Sequence, residues 1–556
     1  MQGMRRDDPA QGKLKGLLLS IPRRIRLNNI YTAERFVNMK KLLLVPCAAL
    51  IALALPAAAL DTGGTAAATR DAKLPAKEEA ARPAAEGGAV VREGDSGKKE
   101  EKSRNFNVDA LILYGQYNRI LWDAGITQSF DTFTYQLNSD FSRSNDYGYK
   151  NSRFYDNEIG FSGTADLSEN WKFTPEAEVS NESHGMFRNP FYNREEKDRI
   201  ILNIKNTYQP RPFRWDFNLS GIYFIHRFDT SLFPDVYTYR PYHSSDFYKA
   251  GAEIGWQYII SAANKVSFNS KFAQYFYSGP SDNDTYTANE LIWNFNVGEY
   301  FKFGLGPLYA YNRDGGHFVS GRIEASTVNL KFVSVTASYL YDLTPFTPEN
   351  YYFNQRYVRP YYSLSPGRGH HATLVVGVDA NRTSDRPFYV KKVKCRATGT
   401  FLTSDRYYSF FSLPEQVLAP HQMKIAEAQA QGEAALGLAI YAAYVELGAR
   451  YQYSYFYASD YVTYQPEHTA GGYVKLEVWR FETEFSTSYR GRMHSNPFMD
   501  VTMRPALIGS LHLQVKVYES FYLYGKIDNI YNGKFSTVYG YPEQGRTIIG
   551  GLRISI

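Results

Sequence analysis

The segment "LTPFTPENYYFNQRYVRPYYSLSPGRG", residues 343–369, carries the densest chemistry in this sequence. Tyr351, Tyr352, Tyr357, Tyr361 and Tyr362 interleave with Arg356, Arg359 and Arg368. Aromatic faces stack on flat or sugar-like groups, and guanidinium forks hold anions through paired hydrogen bonds. These residues form the candidate ligand site. The same residues equally suit a loop folded into a channel as its constriction. Nothing in the residue types names a ligand beyond a small solute.

The other chemistry-bearing residues lack partners at useful spacing. His370 and His371 are adjacent, and adjacent side chains on a strand point to opposite faces, which weakens a metal reading. "SDNDTYTANE" places Asp282, Asp284 and Glu290 in an expected loop without the glycine and spacing of a calcium loop. Cys47 lies in a leader-like stretch, so Cys395 is left as a single thiol with no disulfide or zinc partner. Cys395 shares its parity with Val393 and Ala397 and reads as a small lipid-facing residue. There is no G-x-S-x-G, H-E-x-x-H, P-loop or dinucleotide fingerprint. The sequence therefore points to no enzyme, no cofactor and no metal.

The elements that must position this segment are strands. In "TFTYQLNSDF", Phe133, Tyr135, Leu137 and Phe141 share one face, while Thr134, Gln136, Asn138 and Asp140 share the other. A period of two is a strand with two different environments. The pattern recurs from Phe106 to Ile556 and predicts an all-β chain of about 22 strands. Their starts fall near 107, 119, 132, 154, 170, 197, 213, 247, 264, 286, 300, 316, 331, 370, 390, 421, 440, 466, 481, 502, 520 and 546. Pro175 and Pro307 fall inside strands, where each removes a ladder donor and predicts a bulge or break.

A soluble sheet also alternates, but these strands are long, and one face is charged along its length. Short turns alternate with longer connections such as 183–196, 227–246, 343–369, 403–420 and 531–545. Trp171, Trp215, Trp256, Trp293 and Trp479 all border short turns; Trp122 falls elsewhere. Outer-membrane barrels show this asymmetry and such aromatic girdles. The fold expected for residues 106–556 is thus a transmembrane antiparallel β-barrel, with the lipid bilayer as its first partner. The alternation of the last strand, through Ile548, Gly550, Leu552, Ile554 and Ile556, then makes sense. Hydrocarbon tolerates no open sheet edge, so this strand pairs with the first and turns its apolar face to lipid.

Composition agrees. Aromatic residues make up 16% of the chain, with 47 Tyr and 36 Phe, which suits surfaces with one apolar and one wet end. The net charge is +6, yet residues 1–59 hold 10 of the basic and 3 of the acidic residues, leaving 52 against 53. No nucleic-acid partner follows. "MKKLLLVPCAALIALALPAAALD" from Met39 has the charged, apolar and small-residue parts of a Sec signal peptide, over 39–59. Residues 1–38 read as a mis-called start or extended leader. Residues 60–105, rich in Ala, Gly, Lys and Glu, read as a disordered periplasmic tail.

The C-terminal stretch "IDNIYNGKFSTVYGYPEQGRTIIGGLRISI" resembles the last two strands of TonB-dependent outer-membrane receptors. The matching residues are Asn529, Tyr531, Tyr541, Pro542, Gly545 and Arg546. "LYGQYNR" with "NSDFSRSNDYGYKNSRF", and "SLPEQVLAPHQMKIAEAQAQGEAAL", are similar to further parts of that family's barrel. The resemblance implies a 22-stranded barrel in the outer membrane, normally with a plug in its lumen. Residues 60–105 are too short and too polar for such a plug. The expectation is an open, weakly selective channel or receptor for a small solute. The alternative is a scaffold barrel filled by a separate plug or served by a TonB-type partner.

Overall fold

The computed structural model describes residues 106–556, apart from 146–148, 150–151, 188, 190–191, 230–243, 278–282, 329, 331, 345–355, 358–364, 385 and 414–417. The expected leader, signal peptide and tail, 1–38, 39–59 and 60–105, lie outside the described residues.

The strands are β1 (Phe106–Gly115), β2 (Arg119–Ser129), β3 (Phe133–Ser144), β4 (Phe154–Ser168), β5 (Trp171–Gly185), β6 (Arg194–Tyr208), β7 (Phe213–Asp229), β8 (Ser244–Ile259) and β9 (Lys265–Tyr277). They continue as β10 (Asp284–Val297), β11 (Phe301–Asn312), β12 (Gly316–Thr327), β13 (Val333–Thr344), β14 (Gly367–Asn381), β15 (Phe388–Ser412), β16 (Leu418–Ile440), β17 (Ala443–Ala458), β18 (His468–Val478) and β19 (Phe481–Arg490). The last are β20 (Met493–His494), β21 (Thr502–Met503), β22 (Ala506–Tyr518), β23 (Phe521–Asp528), β24 (Ser536–Val538), β25 (Tyr541–Pro542) and β26 (Thr547–Ser555). A 22-stranded antiparallel sheet takes all of these except β20–β21 and β24–β25, which form two small sheets in the connections after β19 and β23. The strand starts follow the sequence expectation closely; the widest gap is at β22, expected near 502 and found at Ala506.

The sheet is closed. β1 pairs with β26 from Asp109↔Ser555 to Gly115↔Ile549. The last strand is held by reciprocal backbone bonds between Val108 and Ile556, at 2.9 and 2.8 Å. Across this seam Ile112 and Leu552 are partners and both face out, 46% and 53% exposed. On the inner side Arg553 makes a two-pronged contact with Asp109, at 3.0 and 2.7 Å. Gly551 is required here, because a Cβ would stand 1.8 Å from the Ile112 carbonyl oxygen.

Both prolines break the ladder as expected, without a register shift. The β10–β11 ladder runs to Glu290↔Leu308, omits two rungs beside Pro307, and resumes at Trp293↔Leu305. The β4–β5 ladder likewise skips from Ser162↔Glu176 to Ala165↔Phe173 beside Pro175. The missing proline N–H opens the gap, and the flanking rungs hold the register.

One expectation is corrected. Residues 403–420, read as a long connection, are mostly strand: β15 runs on to Ser412 and β16 restarts at Leu418. A register shift between Ser404 and Tyr407 marks the irregularity. Such a bulge bends the extended hairpin. Beyond it, inward Met423 and Ile425 are buried, so the hairpin is a packed element rather than a loose loop.

Outward side chains in the wall are exposed apolar groups, such as Ile159, Leu167, Val179 and Leu374. Inward ones are polar and paired: Lys205 with Glu176 at 2.7 Å, Lys271 with Glu253 at 3.3 Å, and Arg214 with Asp216 at 2.9 Å. Trp171, Trp215, Trp293 and Trp479 are exposed at the short-turn end, as the girdle reading requires. The buried apolar clusters sit elsewhere, at the end with the long connections. Phe224, Phe247 and Tyr275 of β7–β9 pack there with Leu418 of β16.

Candidate functional site

That packing is unusual for a barrel wall, because β7–β9 and β16 lie far apart around the ring. Their contact means that the long-connection end is bridged across its mouth. Tyr408, Phe410, Tyr464 and Val538 flank the same cluster. They come from β15, the 459–467 connection and β24. Each fully buried large apolar side chain contributes roughly 1.5–3 kcal/mol.

Tyr357 stands where the bridge is polar. Its backbone N–H donates to both carboxylate oxygens of Glu195 on β6, at 2.9 and 2.8 Å. Its carbonyl accepts from the Leu418 N–H on β16, at 2.6 Å. Its ring stacks on Tyr541 of β25, with centroids 3.9 Å apart and planes at 9°. Asn189 in turn donates to the Tyr541 hydroxyl at 3.2 Å. Tyr357 has φ 63°, a left-handed conformation that a non-glycine residue adopts at a cost, so the surrounding contacts hold it. One residue is thus tied to two distant walls and to the last long connection.

Glu195 and its neighbours form a buried charged cluster. Glu195 and His226 are both 0% exposed, with Nε2 of His226 2.9 Å from Glu195 Oε1. An ionised carboxylate accepts only, so the imidazole nitrogen is the donor. Lys197 Nζ lies 3.7 Å from the same oxygen. His184 lies 3.7 Å from Glu182 and edge-on to Tyr357. The inward parity of β5, β6 and β7 converges these side chains on one point. At the same level Glu196, Asp198 and Arg227 are charged and form ion pairs on the outward parity. This level is therefore clear of hydrocarbon, beyond the about ten residues that cross a bilayer from the short-turn end.

Burial alone would raise the Glu195 carboxyl; Lys197 and the His226 hydrogen bond outweigh it and draw it down to about 2. Burial pushes His226 below the usual imidazole value, and burial with the Arg356 charge does the same to His184. At neutral pH Glu195 is thus a carboxylate and both imidazoles are neutral. The cluster can hold a backbone N–H firmly, and it has no arrangement for attack on a substrate.

Of the sequence-predicted segment, Tyr351, Tyr352, Arg359, Tyr361 and Tyr362 lie outside the described residues. Arg356 is exposed beside Tyr357. Arg368 bonds the protein itself: its N–H donates to Asp405 at 2.6 Å and its guanidinium to the Gly315 carbonyl at 2.9 Å. The C-terminal motif residues shape the connection carrying Tyr541. Buried Asn529, at φ 51°, donates to the carbonyls of Gly533 and Gln544 at 2.9 and 3.2 Å. Tyr531 approaches Thr487 at 3.5 Å, and Pro542 pairs with Ser536. A Cβ on Gly545 would meet the Asn532 side chain at 3.0 Å, and the Arg546 N–H donates to that side chain at 3.0 Å. Sequence reasoning missed Glu195, His226, Lys197, His184 and Leu418, which read as ordinary wall residues until the fold brings them together.

The remaining candidates resolve simply. His370 faces out and His371 is half-buried on the opposite parity. Asp284 accepts from Asn312 at 2.9 Å, Glu290 pairs with Arg322 at 3.5 Å, and Asp282 lies outside the described residues. Cys395 is exposed on the outward face, paired with Val378 and Ala434. Among the described residues, no cluster of His, Cys, Asp and Glu is arranged for a metal.

No protein-family model and no curated protein matches the sequence. Solved structures do match in fold. The copper transporter OprC superposes with a TM-score of 0.61 at 11% identity, covering 82% of this chain and 80% of that one. The FrpB iron transporter of Neisseria meningitidis (F3-3 variant) gives 0.61 at 10%, covering 82% of each. The siderophore receptor PirA of Acinetobacter baumannii gives 0.61 at 9%, covering 82% and 81%. By fold, the chain is a closed 22-stranded antiparallel barrel similar to those of these three proteins.

Proposed function

We propose that this protein is an outer-membrane transport barrel for a small polar solute, with an outer mouth latched by its own connections. The carrying observation is Tyr357, held by Glu195 on β6 and by Leu418 on β16. It favours the constriction reading of residues 343–369 over a preformed ligand pocket. Below the latch, the wall offers both charges in pairs, such as Arg199 with Glu178 at 2.5 Å and Lys475 with Glu482 at 2.6 Å. Paired charges give little net field, which suits weak selectivity between ions of either sign. The matched structures' names give copper, iron and siderophore as cargo, so metal ions and their chelates are the first solutes to test.

The test is conductance of the purified protein in a planar bilayer. The latch reading expects small, infrequent openings from the intact chain. Deleting residues 351–368 should give larger and longer ones. A large steady conductance from the intact protein refutes the latch. A barrel that stays closed after the deletion refutes the passive channel and favours a lumen filled by a separate plug or opened by a TonB-type partner.

A further inference from the structure

One motif recurs three times on the outward face, at the end opposite the tryptophans. Tyr311 pairs directly with His317 across β11–β12, Tyr341 with His370 across β13–β14, and Tyr453 with His468 across β17–β18. In each case the tyrosine two residues earlier reaches the same imidazole. The Tyr309 hydroxyl is 2.8 Å from His317 Nδ1, that of Tyr339 is 2.7 Å from His370 Nδ1, and that of Tyr451 is 2.7 Å from His468 Nδ1. The directly paired ring also packs on each imidazole, at centroid distances of 4.9, 4.3 and 5.0 Å.

These histidines lie on the lipid-facing parity. Val319, Leu374 and Val474, on the same faces, are 73%, 49% and 44% exposed. Among the described strands, every outward-facing histidine is in this setting. An aromatic belt by itself needs no imidazole: the girdle at the short-turn end is built from Trp, Tyr and Phe. The hydroxyl engages Nδ1 in all three; with the phenol as donor, a neutral imidazole carries its hydrogen on Nε2, the nitrogen the couple does not use. Between the second and third couples stands Lys424, exposed on β16 and on the parity opposite buried Met423 and Ile425. Three imidazoles and a cation thus lie on the outward face of β12–β18, toward the end with the long connections.

We propose that these Tyr–His couples bind the phosphate headgroups of lipids in the membrane's outer leaflet. The ring pair orients each donor, the neighbouring apolar wall takes the acyl chains, and Lys424 supplies charge. This rests on the barrel reading but not on the latch.

The test uses the full chain purified in detergent, with phosphatidic acid as probe and diacylglycerol of the same chains as control. Bound lipid is counted by mass spectrometry of the intact complex. The wild type should prefer phosphatidic acid by about tenfold. The combined H317F/H370F/H468F variant keeps the aromatic belt and should lose that preference, while H512F, altered inside the lumen, should keep it. Heat-modifiable gel migration confirms folding separately, so a failed barrel is distinguishable from a failed site. If the triple variant does not fold, the single variants carry the test, each losing part of the preference. Equal binding by variants and wild type overturns the proposal. So does full displacement by excess inorganic phosphate, which would assign the donors to a free anion.

Discussion

Glu195→Gln should release the latch while leaving the wall intact. The change preserves shape and removes one buried charge. Glu195 accepts from the Tyr357 N–H, at 2.9 and 2.8 Å, and from His226 at 2.9 Å. Charge-assisted hydrogen bonds are roughly twice as strong as neutral ones, so these contacts weaken by about 1 kcal/mol each. Lys197, 4% exposed, would lose one of its carboxylate neighbours and keep Glu182, its cross-strand partner. The remaining carboxylate keeps this cost below the about 3–5 kcal/mol of a buried pair broken outright. The Lys197 ammonium can recover part of that by swinging toward water once the mouth opens. A net shift of about 3 kcal/mol toward the open mouth follows, roughly a hundredfold in the open-to-closed ratio. The assay is open probability of single channels, compared with the wild type and with the 351–368 deletion. E195Q should approach the deletion. If E195Q gates like the wild type while the deletion is open, the Glu195–Tyr357 contact is incidental and the latch lies elsewhere in the connections.

Acid should open the mouth, in two stages. His226 and His184 are depressed and neutral in the closed form, so closure weakens as pH falls below the ordinary imidazole value of about 6.5. The Glu195 contribution is fully present above the ordinary carboxylate value of about 4.3 and is lost as pH falls toward about 2. Conductance that declines steadily from pH 7 to pH 5 would contradict the sign. Leu137→Arg should impair insertion by about 2–4 kcal/mol, and lumen-facing Asn138→Arg should be tolerated, as read by folded yield in liposomes. Like behaviour of the two would overturn the face assignment. Gly551→Val should prevent closure of the β1–β26 seam, since its Cβ would stand 1.8 Å from the Ile112 carbonyl oxygen. Normal heat-modifiable migration of that variant would show that the seam tolerates a side chain.

The barrel was legible in the sequence because a strand's two faces meet two solvents. The period of two around Leu137 or Ile159 states which face is apolar without reference to any distant residue. Short turns with neighbouring Trp171, Trp215, Trp256, Trp293 and Trp479 are local signals as well, and they assign one end of the barrel. Pro175 and Pro307 marked the ladder gaps because the missing donor is a property of the residue itself. The end of the chain signalled closure because an apolar edge strand has no other stable place in a bilayer. The mouth was not legible. Residues 403–420 looked like a loop because their alternation is broken by a bulge and by Pro420, yet the β15–β16 ladder continues through them and Leu418 packs onto β7–β9. Glu195 and His226 look like any lumen-wall residues; their burial depends on Tyr357 and Leu418 arriving from far along the chain and across the ring. Alternation is an interaction with the surroundings that each strand carries alone. The latch is a contact among segments remote in sequence, so only the closed barrel, by setting their distance, could decide it.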